Sequence, residues 1–108
     1  MNNAHMSGPS FTLSAGTRTA PATITANGDI DLANIDAFGS LLEKAARGAP
    51  SLIVDLRSVT YCDSAAMRAL FSAAATTSLT LLTAASAPIT TLLEISGLDR
   101  ITTVSKSD

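Results

Sequence analysis

Apolar and polar positions alternate over Phe11-Thr12-Leu13-Ser14 and again over Ala22-Thr23-Ile24-Thr25-Ala26, the two-residue period of a half-buried strand. Gly16 and Thr17 can turn the chain after the first segment, and Asn27-Gly28-Asp29 is a turn signal after the second. The pair reads as an opening hairpin. The period then lengthens. Ile35, Phe38, Leu42 and Ala45 recur at three- and four-residue steps, as one face of a helix does. Asn34 stands where its side-chain oxygen can cap that helix, and Gly48 and Pro50 stop it. Leu52-Ile53-Val54-Asp55-Leu56 is a short run rich in branched residues, typical of a buried parallel strand. Asp63 or Ser64 caps a second helix whose stripe is Met67, Leu70, Phe71 and Ala74. Leu79-Thr80-Leu81-Leu82 is another buried strand. Pro88 opens a third helix at the position that tolerates it, with Ile89, Leu92, Leu93 and Ser96 facing inward. Gly97 suits a left-handed C-cap and Leu98 the apolar contact beyond it. Ile101 to Val104 makes a last strand.

The order β-β-α-β-α-β-α-β predicts an α/β domain whose parallel strands are joined by right-handed crossovers. The hairpin adds an antiparallel edge, so the sheet is expected to be mixed. A chain of 108 residues supports one modest core, placed here over residues 11–105. Residues 1–10 read as a disordered tail or a cloning remnant.

Composition narrows the function. Apolar residues make up 46%, with few aromatics and no Trp, so a folded domain with a core of small side chains is expected. The net charge is −2, and the seven basic residues are scattered, without the basic stripe and stacking aromatics that bind nucleic acid. No run of roughly 18 apolar residues spans or inserts into a membrane. The lone Cys62 excludes an internal disulfide, and Met1 to Phe11 lacks the apolar stretch of a leader peptide; both favour the cytoplasm. The only His is His5, in the tail, so neither a hydrolase triad nor a zinc site is expected, and the six glycines form no nucleotide-binding loop. No catalytic residue, metal or cofactor is assigned. Asp29 and Asp31 read as solvated or capping carboxylates rather than an acid–base pair.

Strand-to-helix loops of a parallel sheet gather at one end, which brings Gly28-Asp29-Ile30-Asp31 toward Asp63-Ser64. From spacing alone, Ser64 is an N-cap or first-turn residue. Its second reading is a phosphorylation site, because a helix N-terminus favours an added phosphate. Cys62 is expected to be buried and inert rather than a redox sensor. Gly39 is expected to mark close packing of the first helix on the sheet. Arg68 points outward, as a solvated charge or a partner contact.

Val54-Asp55-Leu56-Arg57-Ser58-Val59-Thr60-Tyr61-Cys62-Asp63-Ser64-Ala65-Ala66-Met67-Arg68-Ala69-Leu70 resembles the "DLSxVxFxDSSGLxxL" segment of STAS domains. Gly28-Asp29-Ile30-Asp31 is similar to that family's "GELD". Ala87-Pro88 with Leu92-Leu93-Glu94-Ile95-Ser96-Gly97-Leu98 is similar to its closing "PxxxxLLxxxGL" helix. The three segments fall in family order. The resemblance implies a single STAS domain of the bacterial anti-sigma factor antagonist type. Such a protein binds an anti-sigma factor that is also a serine kinase, is switched off by phosphorylation, here at Ser64, and is reset by a serine phosphatase. Asp31 would position the acceptor hydroxyl and Asp63 orient its loop, with Ala65, Ala66, Met67 and Arg68 completing the partner surface. ATP would belong to the kinase. Ala65-Ala66 replace the family's Ser-Gly; a methyl group there obstructs the close backbone approach that glycine allows, which bears on phosphorylation more than on binding. Thr76-Thr77-Ser78 replaces the usual Lys- and Gly-rich turn. The alternative is a STAS subunit or fragment of a membrane transporter that is never phosphorylated.

Overall fold

Each predicted strand and helix forms in the computed structural model, which describes residues 10–84 and 88–107. Residues 1–9 of the tail, with His5, and Ala87 of the closing motif lie outside the described residues; Ser10, the last residue assigned to the tail, is instead paired in the first strand, opposite Asn27. Strands β1 (Ser10–Ser14), β2 (Ala22–Ile30), β3 (Ser51–Cys62), β4 (Ser78–Ala84) and β5 (Thr103–Ser107) form one sheet in sequence order. β1 pairs antiparallel with β2; the other pairs are parallel. Helices α1 (Ile35–Gly48), α2 (Ser64–Thr76) and α3 (Pro88–Ser96) are the crossovers. The strands step across the sheet in one direction, so right-handed crossovers stack all three helices on the same face. Ala22, Ile24 and Ala26 of β2, Leu52, Val54 and Leu56 of β3, and Leu79 and Leu81 of β4 are buried beneath them. They join Phe38, Leu42, Leu70, Ile89 and Leu93 of the helices in a single core. The alternate residues, including Thr12, Thr25, Asp55 and Leu82, lie on the opposite face, which no described helix covers.

β3 carries more chain than its neighbour. From Thr25 to Asp29 β2 advances four residues, while the paired stretch of β3, Asp55 to Tyr61, advances six. Each of the two register shifts therefore inserts one residue into β3 as a bulge. Burial along β3 changes with them: Leu52, Val54 and Leu56 are followed at three-residue steps by Val59 and Cys62. At the first bulge Asp55 accepts the Arg57 backbone N–H at 3.0 Å and forms a bidentate pair with its guanidinium at 2.9 and 2.7 Å. That pair holds the Asp55 carboxyl below its usual range. At the second, the Thr60 hydroxyl donates to Asp29 Oδ1 at 2.6 Å.

Several expectations are corrected. Asn27-Gly28-Asp29 is not a turn but continues β2 to Ile30, because β3 supplies a partner for it; Gly28 takes φ 85 beside the second bulge. Asn34 precedes α1 without a side-chain cap; its Oδ1 accepts the Asp31 N–H and its Nδ2 donates to the Asp29 carbonyl. The buried residues of α2 are Ala66, Leu70 and Ala73, while Met67, Phe71 and Ala74 pack at the margin. In α3 Thr90 is buried with Ile89 and Leu93, donating to the Ala84 carbonyl at 3.0 Å, and Ser96 is exposed. The last strand starts at Thr103, and Ile101 is 54% exposed. Gly97 does take the left-handed cap, φ 82, with Leu98 fully buried after it.

Gly39 does not pack against the sheet. A Cβ placed there meets no atom within 4 Å, because Gly39 lines a groove between α1 and α2. Glycine inside a helix costs about 0.8–1 kcal/mol relative to alanine. Gly39→Ala should therefore stabilise the domain by about that amount and raise its Tm by about 4 °C or more in a calorimetric scan; an unchanged or lower Tm would show that the space is needed.

Candidate functional site

The C-terminal ends of β2 and β3 meet at the pair Ile30↔Cys62. One residue further, the Asp63 N–H donates to the Ile30 carbonyl at 3.1 Å. This bond sets the segment containing Asp31 beside the one that begins α2. Asp63 has extended backbone and is the N-cap: its Oδ1 accepts the Ala66 N–H at 3.0 Å, and its carbonyl accepts the Met67 N–H at 3.1 Å. Such a cap stabilises a helix by about 1 kcal/mol. Of the two cap candidates it is therefore Asp63 that caps, and Ser64 is the first helical residue. Ser64 is exposed, and its hydroxyl has no hydrogen bond among the described residues.

Asp31 is half-buried at the same end of the sheet. Its Oδ1 accepts the Ala33 N–H at 2.9 Å, and its own N–H donates to Asn34 Oδ1 at 3.1 Å. Asn34 thus fixes the turn that presents Asp31. Asp29 is held by Thr60. Both carboxylates are engaged in local structure, Asp31 in its own turn and Asp29 across the strands.

The bulges of β3 turn Tyr61 outward, 51% exposed. Behind it lies an open groove of about 530 Å³ between α2 and α3. Tyr61, Met67, Phe71, Leu92 and Ile95 supply its apolar lining, and Asp63, Ser64, Arg68 and Ser96 its polar groups. Ile95, 78% exposed, and Tyr61 were not singled out in the sequence. The signal was available for Ile95, which is out of phase with the buried pair Ile89 and Leu93. Asp31 and Ala65 do not line the groove. Ala66 leaves the surface set altogether. It is fully buried, its methyl faces the core and its N–H is taken by Asp63, so that methyl cannot obstruct a docking protein.

Cys62 closes the floor of the groove. It is free and only 3% exposed. Burial, and then the nearby Asp63 and Asp29 carboxylates, push its thiol up to about 12. At pH 8 only about one such thiol in ten thousand is thiolate, the reactive form. Labelling with a thiol reagent at that pH should run at least roughly a hundredfold slower in the native protein than in denaturant; comparable rates would show that the groove admits the reagent to Sγ. Among the described residues no cluster of His, Cys, Asp or Glu is arranged to hold a metal, and no helix is long and apolar enough to cross a membrane.

The family model described as "Mlab, STAS domain" matches residues 14–104. Solved structures with the same fold include an anti-sigma factor antagonist from Mycobacterium paratuberculosis, 16% identical, TM-score 0.77, covering 94% of this chain and 89% of that one. The antagonist SpoIIAA in its unphosphorylated form gives 16% identity and TM-score 0.72, over 92% of this chain and 89% of that one. The Bacillus cell fate determinant SpoIIAA in its phosphorylated form gives 17% and 0.67, over 92% of each. No curated protein matches significantly. At these identities the structural likeness establishes the fold.

Proposed function

The chain belongs to the STAS domain family, and from that premise we propose that it is a cytoplasmic anti-sigma factor antagonist, switched off by phosphorylation at Ser64. It binds an anti-sigma factor that is also a serine kinase, and so releases a sigma factor. The chain does no chemistry of its own and takes no cofactor; it is ligand and substrate. A serine phosphatase restores it. The observation that carries this reading is the unpartnered, exposed Ser64 hydroxyl on the wall of an apolar groove. The likeness of the fold to antagonists, one of them a phosphorylated form, supports it.

In the phosphorylation step the Ser64 oxygen attacks the terminal phosphorus of ATP held by the kinase. The bond to the bridging oxygen breaks, ADP leaves, and the hydroxyl proton passes to a base of the kinase. Placement dominates such transfers. The Asp63 cap fixes the first turn of α2, and Asp31 acts from the adjacent loop as a positioning residue. The product carries about −1.5 to −2 charges at a helix N-terminus, where free N–H groups and the helix dipole accept them. The fold therefore stays the same while the docking surface changes. A protein surface fitted to a neutral hydroxyl then meets a dianion, at a cost on the order of several kcal/mol.

Ser64→Glu should weaken binding of the anti-sigma factor by on the order of a hundredfold or more and melt near the wild-type temperature, whereas Ser64→Ala should bind as wild type does and resist phosphorylation. Calorimetric titration against the captured partner decides it; equal affinity for Ser64→Glu and wild type would turn the reading toward a transporter subunit. Asp31→Asn keeps the acceptor for the Ala33 N–H. It should slow phosphorylation on the order of tenfold to a hundredfold at an unchanged Tm. An unaltered rate in a kinase assay removes Asp31 from the positioning role.

A further inference from the structure

Ser64 and Arg68 stand four residues apart on α2, a spacing that leaves Cβ atoms about 5–6 Å apart on one helix face. Both line the groove between α2 and α3. Arg68 is exposed, and among the described residues the ion pairs are Asp55–Arg57 and Glu94–Lys106, so its guanidinium has no acidic partner. Asp63, the one carboxylate lining the groove, is engaged in capping α2. The remaining walls are largely apolar: Met67, Phe71, Leu92 and Ile95. An entirely apolar occupant would strip water from Arg68 and give nothing back, which is costly for a charge. A carboxylate would satisfy it, because the planar guanidinium fork matches two carboxylate oxygens.

We infer that Arg68 anchors the docking protein by taking a carboxylate that an otherwise apolar segment of that protein presents to the groove, and that a phosphate on Ser64 takes Arg68 away from it. The inference rests on Ser64 being the phosphoacceptor. In the unmodified protein the hydroxyl carries no charge and does not compete. The phosphorylated side chain sets a dianion one helical turn N-terminal to the cation, the favourable order for an i,i+4 pair. The new pair is intramolecular, so it forms at a high effective concentration. The partner then loses its anchor as well as meeting negative charge. Switching becomes an exchange of one cation between two anions, with no movement of the backbone.

The takeover is tested on the full chain with phosphoserine installed at position 64, titrated by ³¹P NMR. A nearby cation favours the dianion, so the second phosphate pKa in the Arg68→Ala variant should lie about half a unit above wild type, with Arg68→Lys between them. Equal values in all three proteins overturn the takeover. The anchor is tested by calorimetry of the unphosphorylated chain against the anti-sigma factor it captures. Arg68→Ala should weaken binding about tenfold and Arg68→Glu about a hundredfold, and replacing one acidic residue of the partner by Lys should recover the Arg68→Glu variant. Unchanged affinity in both variants overturns the anchor. So does a dimer of this chain, seen by ultracentrifugation, that Arg68→Glu disperses, because a second copy would then be the occupant. If no kinase modifies Ser64, the functional reading fails, and the ³¹P comparison still judges the pairing of Arg68 with phosphate.

Discussion

β3 has to run two residues longer than β2 over the same stretch of ladder and still stay paired with it as far as Ile30↔Cys62. The rest of the molecule is arranged around that requirement. The surplus is taken up in two bulges, each braced by a side chain: Asp55 against Arg57, and Asp29 against Thr60. The ladder then closes on the bond from the Asp63 N–H to the Ile30 carbonyl, and α2 starts where that bond places it. The bulges also decide which way the end of the strand faces, turning Tyr61 out and Cys62 in. The groove and its polar groups follow from the same geometry.

This explains what could be read from the sequence and what could not. The helices were legible because Phe38, Leu42 and Ala45, or Ile89 and Leu93, keep a helical period against polar neighbours. The first half of β3 was legible from its branched run. Its second half was not, because Val59 and Cys62 follow Leu56 at steps of three, a period that matches neither a strand nor a helix until the bulges are known. Asn27-Gly28-Asp29 looks like a turn when taken alone; pairing with β3 overrides that local preference. The stripe of α2 was misplaced by one residue because Ala66 and Ala73 are core residues too small to stand out beside Met67 and Phe71. The Asp31 and Asp63-Ser64 loops could be assigned to one end of the sheet, since parallel topology dictates it. The apolar groove needed the relative placement of α2 and α3, which no local pattern encodes.

Most of the reactive groups of the site are already engaged or buried. Its carboxylates are engaged in capping and bracing, and its thiol is buried and held neutral far above physiological pH. Ser64 presents an exposed hydroxyl with no hydrogen bond among the described residues, with the exposed Tyr61 and Arg68 lining the same groove.

Stacking the described helices on one side leaves the other half of the sheet uncovered by them, and Thr12, Thr23, Thr25 and Thr80 occupy much of that half. Unfolding therefore exposes less new hydrocarbon than it would from a sheet covered on both faces. Heat-capacity change and denaturant sensitivity both scale with the surface newly exposed. The stability curve of this domain should accordingly bend less than that of a domain of equal length whose sheet is covered on both faces, a difference that calorimetry reads as a smaller heat-capacity change.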